Sequence, residues 1–152
     1  MTPEVIRSLP REKLLFYVAQ LITPEIREQI RVFVPTLRER RSWLLGAPEL
    51  VEVIEDLATQ EGDEPTETLG AEMEVCSSKV PGLVPKDVEA VFYAEVSDVV
   101  EAVRELSERT GITFEFMYGD IFVGEIVDGE VDTTLQVGLL DEWRKHLESM
   151  QG

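Results

Sequence analysis

Acidic side chains crowd one stretch near the end of the chain. Glu125, Asp128, Glu130 and Asp132 follow one another closely, and Asp120 comes shortly before them. A calcium-binding loop needs D-x-[DN]-x-[DN]-G spacing and a glutamate at its twelfth position, and this stretch lacks that spacing. We therefore interpret these acids as a solvated hairpin surface that discourages edge-to-edge pairing, and as the residues that would contact a basic partner.

A group of arginines shares one stripe if a single helix continues through Pro35. Arginine stripes can hold phosphates, and Trp43 nearby could stack on a base. An internal or intersubunit contact with acidic surface explains the stripe more economically, because the rest of the chain is strongly acidic. The stripe consists of Arg27, Arg31, Arg38 and Arg41.

The chain has one histidine, His146, and one cysteine, Cys76. A nucleophilic dyad would require tertiary contact between them, which their spacing does not predict. A reactive thiolate needs neighbouring cations or a helix N-terminus, and free cysteines are usually buried as small apolar residues. We interpret both residues as structural.

Motifs for nucleotide, metal or redox chemistry are missing from the sequence. It contains no G-x-x-x-x-G-K-[ST], G-x-G-x-x-G, C-x-x-C or H-E-x-x-H. We therefore expect no cofactor and no metal, and lean against an enzyme. A carboxylate-dependent enzyme stays an alternative, provided that two acids converge in a cleft with separated pKa values. The candidates are Glu72, Glu74, Glu115 and Glu125.

The charge is distributed unevenly along the chain. The formal net charge is −17 over 152 residues. Residues 1–45 carry eight Lys or Arg against five Glu, whereas residues 46–152 carry six Lys or Arg against twenty-six Asp or Glu. A domain this acidic repels phosphate backbones and accelerates encounters with basic proteins. The pattern predicts a basic protein partner and no nucleic acid.

Helix-start signals dominate the first part of the chain. Proline followed by glutamate, after a threonine or alanine, is typical of a first helical turn. These signals predict helices over about residues 10–22, 24–45 and 48–60. We accordingly expect a helical N-terminal region over 1–60 and an acidic linker over 61–67.

Residues 68–152 are predicted to form a sheet domain. Apolar and polar residues alternate after the linker, and the Gly119-Asp120 and Asp128-Gly129 pairs are typical of tight hairpin turns. The expected fold is α+β: a helical N-terminal third packed on a small mixed or antiparallel sheet with the order β-β-α-β-β-β-α. The predicted strands cover about 71–75, 90–96, 112–118, 121–127 and 130–135, and the helices 98–109 and 138–149.

Taken together, these features favour a non-catalytic acidic interaction module. The most concrete hypothesis is an inhibitor or immunity-type protein that neutralises a basic protein partner. A small-molecule-binding regulatory domain and the carboxylate-dependent enzyme are the alternatives. The lone cysteine, the missing signal peptide and the short apolar runs favour a cytoplasmic protein with no membrane contact, and the apolar N-terminal helices favour a homodimer.

Overall fold

The computed structural model describes residues 11–55, 66–76 and 85–150, which form one antiparallel sheet with helices packed on one face. In chain order the elements are β1 (Arg11–Val18), α1 (Pro24–Glu39), β2 (Glu49–Glu55), β3 (Thr66–Cys76), α2 (Lys86–Thr110), β4 (Phe114–Tyr118), β5 (Ile121–Val127), β6 (Glu130–Val131), a π-helix (Thr134–Asp141) and α3 (Glu142–Ser149). The six strands lie in the spatial order β2-β3-β1-β4-β5-β6, and every pairing is antiparallel.

The strand β1 lies inside the sheet, between β3 and β4. Its residues Leu14, Phe16 and Val18 are buried on the face that the helices cover. The Phe16 ring lies 6.2 Å from that of Phe33 in α1 and 6.0 Å from that of Phe114 in β4. Because edge-to-face aromatic contacts add to area burial, this cluster ties α1 to the centre of the sheet.

The start of α1 and the end of α2 follow elementary capping chemistry. The Thr23 hydroxyl accepts a hydrogen bond from the Ile26 amide at 3.2 Å, and Pro24 occupies the first turn of α1. At the other end of α2, Gly111 has a φ of 78°, the left-handed conformation in which glycine commonly ends a helix. These local signals fix the start of α1 and the end of α2.

The predicted helical N-terminal third is wrong. Residues 11–18 and 49–55, predicted to lie in helices, are the strands β1 and β2, and the first described helix begins at Pro24. Over residues 14–18 of β1, side chains are alternately buried and half-buried, and such a continuous apolar run fits a strand as well as a helix. Of the proline-glutamate signals, the one at Pro24 begins a helix and the one at Pro48 precedes a strand, whereas the signal at Pro3 lies outside the described residues.

The predicted strand over 90–96 is also wrong, because these residues lie inside α2. Val88, Phe92, Val96, Val99 and Val103 are all buried at helical spacing, and burial of this stripe outweighs the β-propensity of its valines. The β-β-α-β-β-β-α order fails with it. The α+β class, the antiparallel pairing and both hairpin turns are confirmed.

One sheet combines strands from both sides of the predicted linker over 61–67. The strand β3 begins at Thr66, and most of the predicted linker lies outside the described residues. Strand β1 pairs with β3 on one side and with β4 on the other. The first part of the chain thus supplies a central strand, and both parts share one core.

Candidate functional site

The face of the sheet opposite the helices is a surface that no described element covers. In antiparallel pairing, directly opposed residues point to the same face. Leu15 opposes Glu72 and Met117, and Tyr17 opposes Gly70 and Glu115. We call this surface the open face. Its side chains lie on five neighbouring strands: Glu49, Val51, Val53, Thr68, Glu72, Glu74, Arg11, Lys13, Leu15, Tyr17, Glu115, Met117, Phe122, Glu125 and Val127.

The described helices contact the sheet from the other side. The Phe33 ring of α1 packs on Phe16, and a Cβ added to Gly124 of β5 would lie 2.6 Å from the Leu135 Cβ of the π-helix. The Trp143 ring of α3 lies 6.2 Å from the ring of Tyr118. Leu15 and Tyr17 therefore stay partly exposed, whereas Leu14, Phe16 and Val18 on the helix side of the same strand are buried.

Acids outnumber bases on the open face. Arg11 pairs with Glu74 at 2.7 Å, and the Lys13 ammonium lies 3.6 Å from the Glu72 carboxylate. Among the described residues, no ion pair is formed by the remaining open-face carboxylates, and Glu130 in β6 extends the same row. These unpaired acids are Glu49, Glu115, Glu125 and Glu130.

Two of these acids oppose each other directly. Glu115 of β4 pairs in register with Glu125 of β5, next to Tyr17 of β1. Partial burial, and secondarily the charge of Glu115, raise the pKa of Tyr17. Like charges directly opposite each other destabilise a sheet, so a bound cation would relieve repulsion here. The arrangement is suited to receive a positively charged side chain.

The acids predicted to contact a partner do not form one cluster. Glu125 and Glu130 lie on the open face, but Asp120 is in the β4–β5 turn and Asp128 in the β5–β6 turn, where its φ is 49°. The Asp132 carboxylate accepts a hydrogen bond from the Leu135 amide at 2.8 Å, which orders the start of the π-helix. Asp120 precedes β5, whereas Asp128, Glu130 and Asp132 follow it, so Asp120 lies apart from these three acids.

Sequence reasoning overlooked Glu49 because it placed residues 48–60 in a helix. The signal was present as alternation in β2, where Val51 and Val53 share a face with Glu49. The pairing of β2 with β3 then places Glu49 directly opposite Glu72. Only the pairing of strands brings these acids onto one surface.

The predicted arginine stripe is divided between several contacts. Arg27 forms ion pairs with Glu52, at 2.8 Å, and with Glu67, and Arg31 binds Glu52 at 2.6 Å. These bonds join α1 to β2 and β3 on the helix side of the sheet. Hydrogen bonds from both arginines lower the pKa of Glu52 below its ordinary value.

The other two arginines of the stripe lie at the end of α1. The Arg38 carbonyl accepts a hydrogen bond from the Trp43 indole at 3.0 Å. The Arg41 guanidinium lies 5.8 Å from the centre of the same ring, within cation–π range. These contacts fold the chain after α1 back on the helix. The predicted homodimer through the N-terminal helices stays a prediction.

The structure places Cys76 and His146 in unlike surroundings. Cys76 is buried at the end of β3, and burial raises the pKa of its thiol above the ordinary value. A raised pKa keeps the thiol protonated, opposite to what a nucleophilic cysteine needs. His146 is exposed on α3.

Two carboxylic acids that sequence reasoning did not single out are fully buried in α2. Glu89 accepts a hydrogen bond from the Trp143 indole at 2.6 Å, and Glu95 accepts one from the Leu44 amide at 2.9 Å. Burial raises the pKa of Glu95, while the Leu44 hydrogen bond and the Arg41 charge act in the opposite direction. Glu89 and Glu95 belong to the buried stripe of α2, so recognising residues 86–110 as one helix would have predicted that both acids are buried.

Replacing Glu95 by glutamine is expected to make the protein progressively more stable than the wild type as the pH rises. The folded-state pKa of Glu95 is raised from the ordinary 4.5, so its protonated form favours folding below that pH. This contribution is lost as the pH rises through the folded pKa, whereas glutamine stays neutral. Urea unfolding between about pH 5 and about pH 8 measures the difference.

The exposed Glu148→Gln exchange is the matched control, because it removes one carboxylate from a solvated helix. Because an exposed carboxylate loses little of its hydration on folding, this exchange should change the free energy of unfolding only slightly. A Glu95→Gln effect that does not grow with pH would contradict the assignment of a buried acid with a raised pKa.

A groove of about 710 Å³ lies on the helix side of the fold. Val32, which is 61% exposed, lines it together with Phe33 from α1 and Leu106 from α2. Polar groups at its rim include Glu28 and Arg109. Its volume falls within the range of small-molecule sites.

The acids considered for an enzyme are distributed differently. Glu72 and Glu74 line a cavity of about 220 Å³ together with Lys13. All four acids lie on the open face, but Glu115 and Glu125 do not line this cavity. Within the described residues, no group of three or more His, Cys, Asp or Glu side chains has a metal-binding arrangement.

None of the described helices has the length and apolar character needed to cross a membrane. Comparison with protein-family models, with curated proteins and with solved structures finds no match to this chain.

Proposed function

We propose that this protein is a non-catalytic interaction module whose open face binds a basic segment of a protein partner. In its most concrete form it is an inhibitor or immunity-type protein that covers the active site of that partner. The observation that carries the proposal is the open face itself, where unpaired acids surround an apolar centre. Glu115 and Glu125 oppose each other there without a cation among the described residues.

The apolar centre and the acids would have different roles in binding. Leu15, Tyr17 and Met117 lie on neighbouring strands and supply area that a partner can bury, which is the main source of affinity. The acids attract a basic segment from a distance and set its orientation. Neighbouring strands lie about 4.8 Å apart, so the five-strand face extends about 20 Å across the strands, comparable with a small protein interface.

The occupant that fits is a basic amphipathic segment. Its apolar side chains would cover the centre of the face, and its Lys or Arg side chains would reach Glu115 and Glu125 and the acids of the outer strands. A nucleic acid would be repelled by the same carboxylates. A neutral apolar segment would leave the repulsion between Glu115 and Glu125 unrelieved.

Reversing two charges on the open face is expected to abolish most of this binding. The variant is Glu115→Lys with Glu125→Lys, and the probe is a fluorescent peptide of alternating Lys and Leu followed by anisotropy. We expect its affinity to fall by about tenfold or more at low salt, because attraction becomes repulsion at the contact. Added salt should narrow the gap.

The control carries the same change in net charge elsewhere. Glu39→Lys with Glu148→Lys alters exposed acids of α1 and α3, away from the open face. It should weaken binding by less than about threefold, through long-range attraction alone. Equal losses in both variants would show that the peptide responds to overall charge, and the proposal would fail.

The groove beside α1 favours a second candidate, a small-molecule-binding regulatory domain. Its lining by Val32, Phe33 and Leu106 is mostly apolar, with charged groups at the rim. The groove lies on the helix side, so a groove ligand would retain its affinity in the Glu115→Lys, Glu125→Lys variant. That difference separates the two candidates.

A further inference from the structure

A small aromatic cavity lies where the end of β4 meets the C-terminal helices. Its volume is about 240 Å³. The rings of Tyr118 and Trp143 form two of its walls, with centroids 6.2 Å apart and planes at 68°. The lining residues are Tyr118, Gly138, Leu139, Glu142, Trp143 and His146. We call it the aromatic cavity.

A buried carboxylate, that of Glu89, contacts the Trp143 ring. The Trp143 indole donates a hydrogen bond to the Glu89 carboxylate at 2.6 Å, and Glu89 is fully buried. The other Glu89 oxygen, Oε2, has no hydrogen-bond partner within the described part of the chain. A hydrogen bond from an indole to a carboxylate pushes electron density into the ring, which strengthens its attraction for a cation.

Two further carboxylates act on the same place. Glu142 lines the aromatic cavity directly, and Lys145, its ion-pair partner at 3.5 Å, does not line it. Burial raises the pKa of Tyr118, and the charges of Glu12 and Glu89 add to that rise. Of these causes, the carboxylate charges, and not burial, favour a cation over an anion beside the phenol.

The π-helix supplies the remaining wall. Gly138 and Leu139 belong to Thr134–Asp141, whose wider turns are rare in proteins and occur frequently at functional sites. Gly138 has no side chain to fill the space beside the rings, although a Cβ there would meet nothing nearer than Thr134 Cγ2 at 3.9 Å. Gly138 therefore lines the cavity with backbone atoms alone.

We propose that the aromatic cavity binds an alkylammonium group. Aromatic walls with a carboxylate at the rim are the arrangement by which proteins recognise quaternary and methylated amines. The cavity is smaller than the 300–1,000 Å³ that drug-sized ligands occupy, so it suits one ammonium head or the end of one lysine side chain. This site lies on the helix side and is independent of the proposed open-face function.

The experiment follows the Trp143 indole signal in ¹H–¹⁵N NMR spectra of the whole chain. The protein has two tryptophans, so Trp43→Phe identifies the Trp143 peak. The probes are choline and its uncharged carbon isostere 3,3-dimethylbutan-1-ol, which have nearly the same shape. Choline should shift the Trp143 peak and bind at least about fivefold tighter than the isostere.

Two further arms identify the source of the amine. Nα-acetyl-lysine amide represents a lysine side chain of a protein, and Nα-acetyl-trimethyllysine amide represents its methylated form. Choline binding most tightly indicates a free amine ligand, whereas tighter binding of either lysine derivative indicates a peptide ligand. Each of these results supports an alkylammonium site.

Matched variants test the role of the rim carboxylate. Glu142→Gln should weaken choline binding by about two- to fivefold, whereas Glu148→Gln on the same helix should leave it unchanged. The Glu115→Lys, Glu125→Lys variant should also keep its choline affinity. Failure of the open-face proposal can therefore be distinguished from failure of the alkylammonium site. Equal binding of choline and its isostere, no shift of the Trp143 peak, or equal effects of the two glutamine variants would overturn the proposal.

Discussion

Replacing Gly70 by alanine is expected to destabilise the protein by about 3–5 kcal/mol, or to prevent folding. Gly70 lies in β3, directly opposite Tyr17 of β1. A Cβ at this position would overlap the Phe16 carbonyl oxygen and lie 2.8 Å from the Tyr17 Cα. Both are backbone atoms of the central strand and cannot rotate away, so β1 and β3 would have to separate. Urea unfolding followed by circular dichroism measures the loss.

Gly138→Ala provides the control for this exchange. A Cβ at Gly138 would meet only Thr134 Cγ2, at 3.9 Å, which is an ordinary van der Waals contact. Because alanine also has less conformational freedom to lose on folding, the change should be neutral or stabilising by up to about 1 kcal/mol. Similar stability of the Gly70 and Gly138 variants would show that β1 and β3 are not packed as closely as described.

Replacing Phe16 by alanine is expected to cost about 3–5 kcal/mol of unfolding free energy. Phe16 is 1% exposed and contacts three aromatic rings from two elements, α1 and β4. The ring centroids of Phe33, Phe114 and Phe116 lie 6.2, 6.0 and 5.8 Å away. Removing the shared ring leaves a cavity that the flanking elements cannot close without distorting the sheet. The measurement is the midpoint and slope of denaturant unfolding.

Phe122→Ala is the matched exchange on the open face. Phe122 is 49% exposed and opposes Met117 on β4. Its truncation should lower the free energy of unfolding by less than about 1 kcal/mol, because folding buries much less of the Phe122 ring than of the Phe16 ring. If the open face binds a partner, the same variant should instead lose affinity for the Lys-Leu peptide. A larger stability loss for Phe122→Ala than for Phe16→Ala would contradict the placement of the core on the helix side.

Local chemistry in the sequence determined several elements of this fold. Thr23 and Pro24 mark the start of α1, Gly111 marks the end of α2, and Gly119 begins the β4–β5 turn. Each feature depends on neighbours within about four residues, so it can be read without knowing the fold. The α+β class and the excess of acid over base were determined in the same way.

Tertiary structure decided between helix and strand where the local signals were ambiguous. Residues 14–18 of β1 form an unbroken apolar run, because this part of the strand is buried on one face and half-buried on the other. Such a run fits either period, and the position of β1 between two strands selects the extended form. Conversely, the valines of residues 90–96 favour a strand, but burial along one side of α2 makes them helical.

Tertiary structure alone also assembled the candidate sites. The sequence determined that acids outnumber bases, but only antiparallel pairing placed Glu115 opposite Glu125. Similarly, only folding brought Trp143 of the last helix to Glu89 and to Tyr118. The alternation of apolar and polar residues along a strand predicts which face of the sheet each side chain occupies. The neighbours of that side chain depend on which distant strands pair with it. The acidity of this chain is therefore encoded locally, and the surfaces that use it are products of long-range packing.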